Sequence, residues 1–447
     1  KDCGQEERAP MCGIPHHAAN TYIPKLVEKG YKVAICEQLE DPKHAKGIVK
    51  RDVVKIVTPG TITELTMLDE KRNNYIASLF VEKKQCAISF CDISTGEFFI
   101  SSIGGVDVNT KILNEISRIA PSEIILTDSS KENLAFLNEF NRIFDIYIST
   151  YNNMDNNSML DKIVKKHNVE LNNVEEQAAT LLLNYIEDTQ KSSIEQINNI
   201  EKYEIEKYMQ LDTTTRKNLE ILEANREKTK KGSLLWVLDK TRTPMGKRLL
   251  RSWLVQPLLS PTEILLRQNA VDEIYSDAFL RGEMSEYMTG IHDVERLLTR
   301  TVYGTATPKE LQILSHTISR FAPIKQLIST VNSRLLRELE GDIDYLEDVA
   351  NRIDQTLCDD PPNSMKDGKI IRDGFNSDVD MLRSDLTGGK GYLIEIEAAE
   401  KERTGIKALK VRYNKVFGYY IEVPAQYSDK VPEDYIRKQT LTNAERY

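Results

Sequence analysis

The 447-residue chain has little of what marks disulfide-rich or membrane-spanning proteins. Its six cysteines form no C-x-x-C pair and are too sparse for a disulfide framework, so we expect reduced thiols. No apolar run approaches the roughly 18 residues of a membrane span, and no basic start precedes an apolar segment as in a secretory signal. These absences favour a soluble, cytoplasmic protein without a membrane partner, and the length predicts about three or four folding units.

Motifs of the common hydrolases are also missing from the sequence. There is no H-E-x-x-H zinc motif and no G-x-S-x-G nucleophile turn. The nearest approach to a phosphate-binding P-loop is Gly388–Gly391, which has Ser384 in place of the first glycine and Gly391 in place of the magnesium-binding Ser or Thr. We therefore expect no catalytic residue, no metal ligand and no cofactor site within this chain.

Charge is divided unevenly along the chain. The net charge of −9, taken alone, argues against a nucleic-acid partner. Residues 1–60, however, carry 10 Lys and Arg against 8 Asp and Glu, and residues 390–447 carry 11 against 9. The middle of the chain is acidic, so DNA contact is expected at the two ends only.

Asp92 is the best candidate for catalysis. The stretches Tyr75 to Val81, Cys86 to Ile93 and Glu97 to Ser102 predict a three-stranded meander, on which ribonuclease-H-like nucleases carry a metal-binding Asp. Two-metal chemistry needs several carboxylates, and no spacing here requires others to converge on Asp92. A metal-dependent nuclease therefore stays open as an alternative to the simpler interpretation, in which Asp92 opens a turn.

Helical periodicity dominates for about 200 residues beyond Val174. Its most specific stretch is Leu238 to Leu258, in which Pro244 starts a helix and Pro257 ends it. One face of this helix is apolar, and we expect it to be buried; its members are Met245, Leu249, Leu250, Trp253 and Leu254. A later helical pattern runs from Val379 to Ile396, although Gly388, Gly389 and Gly391 weaken it.

The hydrophobic period changes to two at Ala408. Leu409, Val411 and Tyr413 alternate with Lys410 and Arg412, which predicts a hairpin with one apolar and one basic face. The candidate DNA-binding residues are Lys410, Arg412, Lys415, Arg437 and Lys438, interleaved with the aromatic residues Tyr413, Phe417, Tyr419, Tyr420 and Tyr435. Two interpretations stay open, a surface that grips phosphates and a solvated strand face over an aromatic core.

Short motifs along nearly the whole chain carry a family resemblance. They are Pro10 to Ala18, Ala34 to Gln38, Val57 to Thr61, Glu70 to Tyr75, Leu211 to Glu220, Leu238 to Leu258, Glu402 to Gly405, Gly418 to Tyr420 and Asn443 to Tyr447. In these stretches the chain resembles the MutS family of DNA mismatch-repair proteins.

The resemblance implies a multidomain α+β protein. Expected are a partial α/β block at 1–62, the later part of a mismatch-binding domain, and a ribonuclease-H-like α/β connector at 63–173. A large all-α core with lever helices is expected at 174–389, and a small β-rich clamp at 390–447. The connector fold accounts for the turn at Asp92 without requiring catalysis.

The resemblance also implies a function, mismatch recognition and the start of repair, with the clamp gripping duplex DNA. It adds Met11, in the mismatch-binding block, to the candidate DNA contacts. The Phe-x-Glu wedge of the family would precede residue 1 and its ATPase domain would follow residue 447, so this chain is expected to act as a fragment. For the full-length protein the resemblance implies ATP and magnesium, a homodimer and a MutL-type partner bound through the connector.

Overall fold

The computed structural model describes residues 13–15, 18–40, 49–82, 85–133, 146–191, 194–414, 416 and 418–447. The chain divides into two compact units. The first is Lys1–Asp354 with Pro362–Gly368, and the second is Gln355–Pro361 with Lys369–Tyr447. In these described ranges, no helix combines the length and the apolar character that crossing a bilayer requires.

A six-stranded mixed sheet organises the first half of the first unit. It follows α1 (Ala19–Val27) and an antiparallel pair, β1 (Val33–Gln38) with β2 (Arg51–Val57). The sheet order is β7–β6–β3–β4–β5–β8, with β3 (Tyr75–Glu82), β4 (Gln85–Asp92), β5 (Glu97–Ile103), β6 (Glu123–Leu126), β7 (Tyr147–Thr150) and β8 (Glu201–Lys202). The antiparallel meander β3–β4–β5 confirms the strands predicted from the sequence.

In the described part of this region, the sheet is accompanied by the helices α2 (Val108–Ile119), α3 (Asp128–Asn133), α4 (Ser158–His167) and α5 (Asn173–Gln190). Most of α5 is buried because it packs across β3, β4 and β5. The hydroxyls of Ser78 and Ser89 donate to the Ala178 carbonyl of α5 at 2.6 and 3.0 Å. Helix α5, with which the predicted helical region begins, therefore packs on the sheet rather than among the later helices of that region.

Glu123, at the start of β6, joins four segments of the chain. Its carboxylate is fully buried. It accepts hydrogen bonds from the Thr58 hydroxyl at 2.5 Å, the Gly60 amide at 3.1 Å, the Tyr185 hydroxyl at 2.7 Å and the Ser149 hydroxyl. A Cβ on Gly60 would lie 2.7 Å from Cβ of Ile76, so only glycine fits this approach. The segment after β2 is thereby held against the sheet.

Helices make up the rest of the first unit. They are α6 (Thr213–Asn218), α7 (Leu234–Leu238), α8 (Pro244–Val255), α9 (Pro261–Ser276), α10 (Ala278–Met288), α11 (Val294–Val302), α12 (Pro308–Ile318), α13 (Phe321–Ile328), α14 (Arg334–Asp342) and α15 (Glu347–Thr356), the last two residues of which belong to the second unit. Helix α8 begins where predicted, with Pro244 in its first turn and the Thr243 hydroxyl accepting from the Gly246 amide at 3.1 Å.

The predicted burial of the apolar face of α8 is wrong. Leu249 and Trp253 are 53% and 39% exposed, whereas Arg248 is buried. Arg248 can be buried because its guanidinium group donates to both Asp293 oxygens, at 2.6 and 2.8 Å, and to Glu295 at 2.5 Å. Periodicity identified the helix, but this ion-pair network decided which face turns inward.

Helix α11 holds the segment that joins β2 to β3. Arg296, only 2% exposed, donates to the backbone carbonyls of Asp69 at 3.1 Å and Arg72 at 3.0 Å. One turn later, Arg300 donates to the carboxylate of Glu64 at 3.1 Å. The four-residue spacing places both guanidinium groups on one side of α11, facing the same segment.

Glu97, at the start of β5, lies beside this network. Its carboxylate accepts from the Asn73 amide at 2.6 Å. Burial, followed by the nearby negative charges of Glu295 and Asp92, raises the pKa of Glu97 to about 7. The folded protein therefore favours the protonated carboxyl group.

In the second unit, α16 (Ser377–Thr404) runs without interruption through the three glycines that weakened its prediction. A four-stranded antiparallel sheet follows in the order β11–β12–β10–β9, with β9 (Lys410–Asn414), β10 (Gly418–Pro424), β11 (Gln439–Thr440) and β12 (Ala444–Arg446). The structure thus confirms the general expectation of a mixed protein with β-sheets and many helices.

Replacing Arg296 with alanine should destabilise the first unit by about 2–4 kcal/mol, because two backbone carbonyls lose a buried charged donor. Urea denaturation measures the change. Arg334→Ala is the control, because the Arg334 side chain is 75% exposed and its ion pair with Glu338 is screened by water, so this substitution should change stability far less than Arg296→Ala. An equal decrease in the free energy of unfolding in the two variants would show that the hydrogen bonds of Arg296 to the Asp69 and Arg72 carbonyls do not stabilise the first unit.

The raised pKa of Glu97 should make stability fall with rising pH. Between the ordinary carboxyl pKa and about 7, the folded state binds more protons than the unfolded state, so this contribution is complete at low pH and lost as the pH rises through 7. From about pH 5 to about pH 8 we expect a loss of about 1–3 kcal/mol that Glu97→Gln removes. Urea titrations at both pH values test this, and parallel pH dependences in the two proteins would refute it.

Candidate nucleic-acid interface

The predicted hairpin forms in the second unit. Strands β9 and β10 pair antiparallel with Tyr413 opposite Tyr419 and Arg412 opposite Tyr420. Gly418, at the start of β10, has a φ of 74°, a left-handed conformation that favours glycine. Of the predicted DNA contacts, Lys415 in this turn and Met11 near the beginning of the chain lie outside the described residues.

An apolar core supports the hairpin. Ile406, Leu409 and Val423 are buried in it, and Tyr435 and Tyr447 pack against them. The predicted inward position of Tyr413 is wrong, because this side chain is 61% exposed. It packs instead against Tyr419, itself 63% exposed, with 5.1 Å between the ring centres. Cross-strand pairing between two aromatic rings replaces burial at the hairpin end.

The face that carries Lys410 and Arg412 is not purely basic. Lys410 and Glu422 are directly paired across the strands, and Nη1 of Arg412 lies 3.5 Å from Oε1 of Glu422. Nε of Arg446, on β12, lies 3.4 Å from the other carboxylate oxygen of Glu422. The Arg446 guanidinium group also lies 4.7 Å from the centre of the Tyr420 ring. One carboxylate thus aligns two arginines on this face.

Arg437 and Lys438 lie just before β11, on the far side of the sheet order from β9. Arg437 is ion-paired with Glu445 of β12 but remains half-exposed. Lys438 is exposed, and its backbone amide donates to the Arg446 carbonyl at 2.8 Å. The described basic candidates therefore occupy the two opposite edges of one small sheet, β9 at one edge and the segment entering β11 at the other.

Sequence reasoning missed Arg446 as a basic residue of this face. The sequence feature that could have identified it is its place in the short strand β12. There Arg446 lies directly opposite Gln439 of β11 and hydrogen-bonds to it. The isolated motif Ala444-Glu445-Arg446 was too short to show that alternation.

The last turns of α16 brace the same sheet. Arg403 is bonded to Glu400 at 2.8 Å and Asp434 at 2.9 Å, and the bond to Glu400 leads the contacts that raise its pKa. The Tyr435 hydroxyl donates to Glu400 at 2.7 Å, and burial together with that carboxylate raises the pKa of Tyr435 to about 12. Near neutral pH the Arg403 guanidinium group therefore stays charged and the Tyr435 phenol stays neutral, so both keep these contacts with the sheet.

Asp92 is used in a turn. Its carboxylate accepts from the Ser94 amide at 2.9 Å, the Ser94 hydroxyl at 2.6 Å and the Asn74 amide at 3.0 Å. In the part of the chain that the structure describes, no group of three or more His, Cys, Asp or Glu side chains is arranged to hold a metal ion. The geometry matches the turn interpretation, and nothing here supports the nuclease alternative.

Three family models match the chain. They are MutS domain I at residues 1–66, MutS domain II at residues 74–201 and MutS domain III at residues 214–435. The second match ends at Glu201, the first residue of β8, so it includes the helix α5 and reaches the last strand of the six-stranded sheet.

Similar proteins cover the full length of this chain. DNA mismatch repair protein MutS of Ruminiclostridium cellulolyticum is 45% identical over 100% of the chain and 52% of its own length. The proteins of the same name from Lachnoclostridium phytofermentans and Acetivibrio thermocellus are each 46% identical over 100% of the chain, and over 49% and 52% of their own lengths. The chain thus spans about half the length of the curated relatives it matches. With three domain models of one family in order along it and relatives of this similarity, the chain belongs to the MutS family of DNA mismatch-repair proteins.

Proposed function

We propose that this chain contributes to mismatch recognition and repair initiation by gripping the backbone of duplex DNA through the sheet of its second unit. The observation that carries the proposal is the set of basic side chains on this sheet, namely Lys410, Arg412, Arg437, Lys438 and Arg446. Two carboxylates, Glu422 and Glu445, balance only part of that charge. Relatives named for DNA mismatch repair support DNA as the partner.

The chemistry of this surface suits phosphates better than bases. Guanidinium and ammonium groups neutralise phosphate charge whatever the base sequence, and they fix the position of a protein on DNA. Arg412 is half-exposed and shares the Glu422 carboxylate with Arg446, so it keeps donors available. Arg446 is less exposed and also donates to Gln439 at 2.8 Å. Lys415 and Met11 are proposed as further DNA contacts on the basis of the sequence alone.

The domain assignment is also part of the proposal. We assign residues 1–62 to the mismatch-binding domain, a ribonuclease-H-like connector from residue 63, a core with its levers up to residue 389, and residues 390–447 to the clamp. The sequence placed the border between connector and core at 173, and we propose to move it to the end of β8, because α5 packs on the six-stranded sheet and β8 belongs to it. The mixed sheet, the helical region and the small β-rich sheet support this order. Homodimer formation and a MutL-type partner at the connector are proposed for the whole protein, by family membership.

ATP and magnesium are proposed for the whole protein, with the nucleotide site outside the described residues. The near P-loop match at Gly388–Gly391 lies inside the long helix α16, far from either end. Amide N–H groups in a helix interior are bonded to carbonyls one turn earlier and cannot cradle a phosphate. The residues of this match therefore do not fit the phosphates of ATP.

We expect the purified chain to leave both ATP and DNA intact with magnesium present. The reason is that the Asp92 carboxylate is held by the hydrogen bonds of a turn and that α16 offers no phosphate cradle. Phosphate release and gel electrophoresis of a labelled duplex measure the two activities. DNA cleavage that disappears in Asp92→Ala, with the fold retained, would favour a nuclease.

The double variant Lys410→Ala/Arg412→Ala should fold normally and bind DNA with a weaker salt dependence. If each side chain neutralises one phosphate, the slope of log affinity against log salt should fall by about 2, at roughly 0.9 per contact. Fluorescence anisotropy with a labelled duplex gives this slope at several salt concentrations.

Lys165→Ala/Lys166→Ala is the matched control, because it removes two exposed charges from α4. It should leave the slope unchanged. A mismatched duplex should bind within about tenfold of the matched one, about 1.4 kcal/mol, because backbone contacts do not identify bases. An unchanged slope in the Lys410/Arg412 variant would show that these two side chains do not contact DNA and that this face is ordinary solvated surface.

A further inference from the structure

The aromatic pair near the end of the β9–β10 hairpin has no part in the function proposed above. Tyr413 and Tyr419 stand directly opposite each other, and both side chains are mostly exposed. Within the part of the chain that the structure describes, neither phenolic hydroxyl has a hydrogen-bond partner, and the two rings contact each other. The pair therefore presents aromatic surface to solvent that neither the core nor a hydrogen bond uses.

The strand register places this pair on the apolar face of the hairpin. Tyr413 follows Val411 on that face, and Tyr419 precedes Ile421, which packs against the buried cluster of the second unit. Arg412 projects from the opposite, basic face. The two tyrosine rings thus continue the apolar face beyond its core and into solvent.

Val416 adds to the exposed apolar surface in the turn of the hairpin. Its side chain is 81% exposed, and its backbone amide donates to the Asn414 side chain at 3.0 Å. Pairs of threonine or valine also stabilise exposed strands, and they do so without presenting aromatic rings. Stability of the hairpin alone therefore does not account for two exposed tyrosines.

The charge around the pair favours an anionic polymer as its partner. Residues 405–447 carry eight Lys and Arg against five Asp and Glu. Arg412, which directly precedes Tyr413, is half-exposed, and β9 is an edge strand, so no further strand extends the sheet beyond this residue. Aromatic side chains beside cationic groups are typical of surfaces that bind single-stranded nucleic acid.

Unpaired bases suit this surface better than a duplex does. In a duplex each base face is covered by its neighbour about 3.4 Å away, whereas the bases of a single strand are free to stack on aromatic side chains. The 5.1 Å between the two ring centres leaves no room for a base between the rings, so the outer ring faces are the ones available. Because the sugar separates phosphate from base, a strand along this edge can contact Arg412 and the rings together.

We propose that Tyr413 and Tyr419 form a stacking platform for unpaired bases of single-stranded DNA, with phosphates of the same strand held by the basic residues of β9. The inference rests on the proposed function, because it takes DNA as the partner of this sheet. It adds a contact with bases to the proposed contact with the DNA backbone.

Fluorescence anisotropy of the full 447-residue chain with two labelled single strands of about 12 nucleotides tests the proposal. One strand is oligothymidylate, and the other is an abasic strand with the same number of phosphates. Oligothymidylate should bind at least about fivefold more tightly, the effect of stacking one base on an aromatic side chain. Because this comparison uses the unmodified chain, it does not depend on the folding of any variant.

Two double variants assign the effect to the rings. Tyr413→Thr/Tyr419→Thr keeps residues that favour strands and should abolish the preference for oligothymidylate. Tyr413→Phe/Tyr419→Phe should retain it, because the rings and not the hydroxyls would contact the bases. Tyr275→Thr is the control and should retain it too, since this side chain on α9 is 74% exposed in the first unit. Thermal unfolding verifies that the variants remain folded.

Several results would overturn the proposal. They are no binding of either strand, equal affinity of the unmodified chain for both, and a preference for oligothymidylate that persists in the Thr variant. An equal loss of duplex affinity in the Thr variant would also overturn it, in favour of a contact with a groove.

Failure of this proposal is distinguishable from failure of the proposed function. The Thr variant should leave the salt dependence of duplex binding unchanged, whereas the Lys410/Arg412 variant should reduce it. A normal Lys410/Arg412 effect without any base preference would contradict only the stacking platform. A base preference without the Lys410/Arg412 effect would contradict only the proposed grip on duplex DNA.

Discussion

The buried arginines of α8 and α11 determine how the first unit is assembled. Arg248 and Arg296 donate to the backbone carbonyls of Glu70, Asp69 and Arg72, and Arg300 reaches the side chain of Glu64. A carbonyl accepts a hydrogen bond whatever side chain its residue carries, so this contact depends on the path of the segment. The sheet and the helical region are therefore joined by a connection that tolerates changes of sequence and resists changes of conformation.

Burying these arginines explains why one strong prediction failed. Periodicity correctly identified α8 and its start at Pro244, but it assigned the inward face by hydrophobicity alone. The partners of Arg248, Asp293 and Glu295, lie more than forty residues later in the chain. No local pattern contains that information, since the pairing exists only after the chain has folded. The meander at β3–β5 and the hairpin at β9–β10 were predictable because their pairing is local.

The hairpin shows the same limit on a smaller scale. Alternation identified β9 and its two faces, yet Tyr413 and Tyr419 remain exposed as a pair, and Glu422 and Arg446 join the basic face. Both differences depend on which residues stand opposite each other, which is set by register. A basic surface that contains a carboxylate keeps its arginines extended and ordered before any ligand arrives, which lowers the entropy cost of binding.

Glu123 defines where this protein can be divided. Its four donors come from residues 58, 60, 149 and 185, and they include no cation. A domain excised at the start of β3 would lose two of these donors and leave a buried carboxylate partly unsatisfied. An expression boundary for the sheet should therefore begin before Thr58. The physical border of this folding unit precedes the first strand of its sheet.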